Sequence, residues 1–186
     1  MRTYYSRVQV KHLPIPANQT SISFDNGFTG ALTDMAIIGL VSDADHAGIY
    51  QRNPFNFQNF GVNCIDLKPM VCRWRAPAIH WISPTGIIKK NYMTFLKQLD
   101  CDSGVKCISL ILLPSEWATG YTLYAFKITD CTIGPGTYNP RSKSATGSVS
   151  LEMLFAAAQN ENIKVILLYQ MLVRHEFDQF QNVIVL

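Results

Sequence analysis

The sequence predicts an all-β sandwich of about eight strands with one short helix. Short apolar or alternating runs recur along the chain, separated by clusters of Gly, Pro, Asn, Asp and Ser. Only Lys89 to Asp100 repeats its apolar residues at helical spacing, through Tyr92, Leu96 and Leu99 with Met93 and Phe95 beside them. Hydrophobic residues make up 48% of the 186 and charged residues 16%, a balance far from disorder and rich in apolar surface for a lone soluble monomer. A chain of this length fits one domain, residues 1–186, and buries roughly two thirds of its unfolded surface. So many short strands need two facing sheets to cover their apolar sides.

Taken in order, Arg7 to Leu13 alternates and runs into Pro14 and Pro16, which marks an edge or a loop. Gln19 to Phe24 alternates again, and Asp25-Asn26-Gly27 supplies turn chemistry to end that strand. Met35 to Val41 is continuously apolar with Gly39 inside it, as expected of a central strand covered on both faces or approached closely by another backbone. Ser42 to Tyr50 reads as a loop. Val62 to Leu67 and Val71 to Trp81 read as strands, with Pro77 at an edge or bulge, and Ser83 to Gly86 turns the chain.

Lys106 to Leu113 is strand-like, and Pro114-Ser115-Glu116-Trp117 has the form of a helical start. Tyr121 to Ile128 is apolar on both faces, which suits a sandwiched or interface strand. Ile133 to Gly147 is a long basic loop carrying Arg141 and Lys143, a length at which loops are functional or disordered. Ser148 to Ala157, Ile163 to Leu172 and Phe177 to Val185 complete the strands, with Gln159 to Asn162 read as the turn of a hairpin between the first two.

Composition also narrows the function. The net charge of +3 is spread out and forms no basic arm; Arg73 and Arg75 alternate with Trp74 as on a solvated strand face, so nucleic-acid contact is not expected. The longest apolar run, Ile163 to Val173, is interrupted by Lys164 and Gln170 and is too short for a helical membrane span. The N-terminus lacks the pattern of a secretion signal, which points to synthesis in the cytosol. The five cysteines, Cys64, Cys72, Cys101, Cys107 and Cys131, have no disulfide-framework spacing and read as reduced thiols.

No residue pattern nominates catalysis. Gly-x-Ser-x-Gly and phosphate-loop sequences are absent. Asp43, Asp45 and His46 are the nearest approach to a cation or acid-base cluster, and they read as a solvated loop because no further ligand accompanies them. His12, His80 and His175 lack ligand spacing and read as structural, and Trp74, Trp81 and Trp117 read as core mass or interface anchors. No metal, no cofactor and no enzymatic activity is expected.

The most informative stretch is Asn53-Pro54-Phe55-Asn56-Phe57-Gln58-Asn59-Phe60. Proline pushes Asn53 toward an extended form, and the asparagine side chains can bond nearby backbone, which predicts a buried, hydrogen-bonded structural corner. Its surroundings add a likeness. Val8-Gln9-Val10-Lys11, Ser23-Phe24-Asp25-Asn26, Gly39-Leu40-Val41, this corner, Tyr92-Met93-Thr94-Phe95-Leu96 and Gly120-Tyr121-Thr122-Leu123-Tyr124-Ala125-Phe126 occur in the order of comparable features in a known family. In these the chain resembles the double-jelly-roll major capsid proteins of Polinton (Maverick) elements and adintoviruses. The likeness runs from about Arg7 to the C-terminus and covers the second, C-terminal jelly roll. Asp66 to Cys72 departs from the family pattern.

Strand spacing alone does not separate a jelly roll from an immunoglobulin-like sandwich; the resemblance implies the jelly roll. It further implies a hexon-like structural protein of the virion capsid, made in the host cytosol, that forms trimers and tiles an icosahedral shell with other capsid proteins. The competing reading is a single-jelly-roll binding module or vertex protein that recognises a partner through its end loops, Arg141 and Lys143 first among them.

Overall fold

A computed structural model describes residues 2–31, 33–71, 74–75, 79–82, 92, 95–96, 113–127, 146–177 and 183–185. Its elements are β1 (Arg2–Ile15), β2 (Ser21–Ala31), β3 (Thr33–Ser42), α1 (Asp43–His46), β4 (Val62–Val71), β5 (Trp74–Arg75), β6 (Ile79–Ile82), α2 (Pro114–Ala118), β7 (Leu123–Lys127), β8 (Thr146–Phe155), β9 (Ile163–Phe177) and β10 (Val183–Val185). Tyr92, Phe95 and Leu96 are helical, within the stretch where helical spacing is seen.

The strands form two antiparallel sheets. One runs β1-β9-β3-β7, with β10 also on β9; the other runs β2-β8-β4-β5, with β6 also on β4. The second strand lies against the eighth, and the ninth lies between the first and third. This nested order, in which successive long strands alternate between sheets, is that of a jelly roll. The expected sandwich is therefore present, and strand order makes the distinction that spacing does not.

Alternation assigns the faces. In β9, Ile163, Val165, Leu167, Tyr169 and Met171 are buried, and their partners Ser42, Leu40, Ile38 and Ala36 point the same way from β3. Across the sandwich, Val149, Leu151, Met153 and Phe155 of β8 face them, joined by Ile65 and Leu67 of β4. All the apolar ones belong to one hydrophobic core. Burial of a single such side chain contributes roughly 1.5–3 kcal/mol.

Several elements differ from the sequence reading. The strand read as Arg7 to Leu13 extends over Arg2–Ile15, and Pro14 fits within it because β1 is the last strand on its side of the described sheet. Asp25-Asn26-Gly27 does not end its strand: β2 continues to Ala31, with an irregularity between Phe24 and Phe28. A Cβ on Gly27 would lie 2.9 Å from the carbonyl oxygen of Val149, so glycine lets the bulged backbone press against β8.

Ser42 to Tyr50 is not all loop, since Asp43–His46 makes one helical turn. The region read as one strand from Val71 to Trp81 is divided between the end of β4 and two short strands, β5 and β6, both paired with β4. The helical start at Pro114 is α2, where Pro114 needs no N–H and Glu116 Oε2 accepts from Leu113 N at 2.9 Å. Among the described residues, two short helices are thus added to the helical residues 92, 95 and 96 of the expected helix.

Finally, β8 and β9 are no hairpin. They belong to different sheets, and residues 156–162 carry the chain across the sandwich. Turn composition is the same whether two strands pair edge to edge or stack face to face. The Ser83 to Gly86 turn, the Lys106 to Leu113 strand up to its last residue, and most of the Ile133 to Gly147 loop lie outside the described residues.

Candidate functional site

The connections 16–20, 43–61 and 156–162, together with the approach to β7, gather at one end of the sandwich. There they bond to one another. Asn18 N donates to Gln159 O at 2.7 Å, Asp43 N to Asn162 O at 2.9 Å, and Ala156 N to Gly61 O at 2.8 Å. Gln159, read from sequence as a turn residue, is buried and its amide donates to the carbonyls of Phe60 at 2.9 Å and Ala157 at 3.1 Å. That fastens Phe60, whose backbone is left-handed with φ 48°.

The Asn-Pro-Phe corner sits here as a hydrogen-bonded turn. Asn53 Oδ1 accepts from Phe55 N at 3.0 Å, and Asn56 N donates to Asn53 O at 3.2 Å. The corner is only partly buried: Asn53, Pro54 and Phe55 face solvent, Phe55 being 68% exposed. Phe57 is the residue that packs. Its N–H donates to Gly120 O at 2.9 Å and its carbonyl accepts from Thr122 N at 3.0 Å, which ties the corner to the start of β7. A Cβ on Gly39 would lie 2.7 Å from Phe57 Cδ1, so the glycine in β3 is a notch for this ring. The close approach expected at Gly39 comes from a side chain rather than a backbone.

Beneath the corner, Asn59 Oδ1 accepts from the Tyr124 hydroxyl at 2.6 Å, and burial holds that phenol well above its ordinary pKa. Trp117 of α2 is buried against Tyr124, with ring centroids 6.2 Å apart, and donates Nε1–H to Leu123 O at 3.2 Å. Its place in the core agrees with the reading of the tryptophans as core mass; the side chains of Trp74 and Trp81 lie outside the described residues.

The acidic loop residues are not simply solvated. Asp45 is buried, paired with Arg52 at 3.1 Å and accepting from Asn56 Nδ2 at 3.4 Å, which joins α1 to the corner. Asp43 pairs with Lys164 at 2.9 Å. His46 Nε2 lies 2.9 Å from His12 Nδ1, and Lys164 Nζ lies 3.3 Å from His46 Nδ1. Sequence reading misses this cluster because His12 and Lys164 are 34 and 118 residues from His46. Among the described residues, no group of three or more His, Cys, Asp and Glu side chains is arranged to hold a metal ion.

On the other sheet, Cys64 is a half-buried free thiol whose Sγ donates to Asp66 Oδ1 at 3.2 Å. Burial and that carboxylate push its pKa up to about 11, so it is a donor rather than a nucleophile. The remaining cysteines, Arg73, Arg141 and Lys143 lie outside the described residues, as do the side chains of Arg75, His80 and His175. No described helix is long and apolar enough to cross a membrane. No protein-family model and no curated protein matches the chain.

Proposed function

We propose that the chain is a structural capsid protein, a hexon-like jelly roll of the Polinton and adintovirus type that works by self-assembly in the virion shell. The observation that carries this reading is an apolar patch on the outer face of the first sheet, bordered there by Gln170, His12 and Lys164. Val8 and Val10 of β1 are each 52% exposed there. Ile166 and Leu168 of β9 and Ile37 of β3 point to the same side. Apolar patches of this kind mark contact surfaces. The nested strand order and the ordered sequence likeness, continuing through the corner into β7, support the same assignment, with copies of the chain and other capsid proteins as partners. The role requires no catalytic step, and trimers would place equivalent faces in closed, symmetric contact.

Native mass by light scattering across a concentration series tests the proposal, with Val8→Asp/Val10→Asp as the comparison. The expected result is a trimer for the native chain and a monomer of unchanged thermal midpoint for the variant. A native chain that stays monomeric at every concentration overturns self-assembly by this jelly roll. That outcome favours the second reading, a binding module, for which the exposed Ile49, Tyr50 and Phe55 at the corner end are the supporting observation.

A further inference from the structure

Three elements meet at the His46 ring. Lys164 of β9 presents its ammonium to Nδ1, and His12 of β1 presents Nδ1 to His46 Nε2. An ammonium can only donate, so His46 Nδ1 must be an acceptor without a proton. The ring proton is therefore on Nε2, and it is donated to His12 Nδ1, which must also be bare. The two contacts fix both tautomers and require both rings neutral. The rings meet edge to face with centroids 4.8 Å apart.

We propose that the His12–His46–Lys164 chain is a proton-operated clasp that fastens α1, and through it the 49–60 corner, to β1 and β9, and that opens on mild acidification. A proton on His46 can enter only at Nδ1, which faces the Lys164 ammonium. A proton on His12 can enter only at Nδ1, which faces the His46 N–H. Either removes the acceptor and sets two donors against each other.

Of the surrounding charges, Asp43 favours the protonated ring, but by less than burial, Lys164 and His12 disfavour it. His12 and Lys164 approach from β1 and β9, and Asp43 on α1 is already paired with Lys164. Glu161, ahead of β9, accepts from Ser42 Oγ at 2.7 Å. Asp45 is engaged by Arg52 and Asn56. In keeping with the geometry, burial first, then Lys164 and His12, hold the His46 pKa below its ordinary 6.5. The folded chain thus binds fewer protons at His46 than the unfolded chain does. The stabilisation from the neutral ring is complete above pH 6.5 and is lost progressively as pH falls below it.

The consequence is local. Asp45 and its partners Arg52 and Asn56 link α1 to the corner, so release of α1 loosens the chain up to Asn56 while the two sheets stay packed. Hydrogen exchange of the full chain at pH 7.5 and 5.0, corrected for intrinsic rates, measures this. Protection in peptides covering 43–56 should drop at least tenfold at pH 5.0, with peptides from β8 unchanged, and His46→Gln should abolish the difference between the two pH values. Equal protection at both pH values overturns the clasp, as does an undiminished difference in His46→Gln.

Should that variant fail to fold, ring-nitrogen NMR on the native chain decides. The expected signature is a neutral His46 carrying its proton on Nε2 and titrating below its ordinary value, with a higher midpoint in Lys164→Met. A proton on Nδ1, or a midpoint that ignores Lys164, sinks the proposal.

Discussion

The outer faces of the two sheets differ in their share of apolar residues. On the first, Val8, Val10, Ile37, Ile166 and Leu168 point away from the core, and Phe57 fills the notch at Gly39. On the second, the outward residues are largely polar: Ser21 and Ser23 of β2, Ser150 and Glu152 of β8, and Cys64, Asp66 and Lys68 of β4, with Leu154 of β8 the exposed apolar exception. Lys68 and Glu152 form an ion pair there. Both sheets supply one apolar face to the same core, so the core does not account for the difference. A polar outer face is what an antiparallel sheet facing water requires. An apolar one exists to be covered, in part by the chain's own corner and, under the proposed function, by neighbouring copies.

Loss of assembly in Val8→Asp/Val10→Asp is the largest expected effect and would break the comparison if it failed to appear. Next in size is Gly39→Ala. The new methyl would meet Phe57 Cδ1 at 2.7 Å and Leu123 Cδ2 at 3.0 Å. Phe57 cannot retreat freely, because its backbone is bonded on both sides to the start of β7. Destabilisation of about 1–3 kcal/mol is expected from this overpacking, read as a fall in thermal midpoint of about 2–4 °C per kcal/mol. In a Phe57→Ala background, itself destabilised by loss of the packed ring, the added cost of Gly39→Ala should shrink, since the clash disappears with the ring. A matched change on the second sheet, Ser23→Val, should alter stability by less than about 0.5 kcal/mol, because Ser23 is exposed and valine suits a strand. Equal costs at Gly39 and Ser23 would remove the claim that the first sheet is covered where the second is open.

What the sequence made legible follows from the range of the interactions involved. Strand identity was legible because period-two alternation is local, as in β9, where alternate residues from Ile163 to Met171 are buried. The notch at Gly39 was legible as a close approach, though not what would fill it. Pairing was not legible. The segment 156–162 has turn composition, yet the strands on either side lie in different sheets, and Asp25-Asn26-Gly27 bulges where it was expected to turn. Within the corner, Phe55 and Phe57 stand two apart in similar company. Only the bridge from Phe57 to Gly120 and Tyr121 decides that one packs and the other faces solvent. The histidine clasp was invisible for the same reason, since each partner of His46 comes from a distant strand.

The smallest expected effect is chemical rather than energetic and concerns Cys64 on the polar face. A thiol exposed to water with an ordinary pKa is partly ionised at pH 8 and alkylates readily. Burial and the Asp66 carboxylate hold Cys64 near a pKa of about 11, which leaves on the order of a thousandth of it as thiolate at that pH. Peptide mapping after a short iodoacetamide pulse should find Cys64 almost unmodified in the native chain and modified at the rate of a free thiol in denaturant. Asp66→Asn should raise the native rate, because an amide removes the negative charge that opposes a neighbouring thiolate. Burial, the larger cause of the shift, remains in that variant, so its rate should stay below that of the unfolded chain. Rapid native modification would mean that burial and Asp66 do not keep the proton on this thiol, and would overturn its reading as a hydrogen-bond donor on the open face of the second sheet.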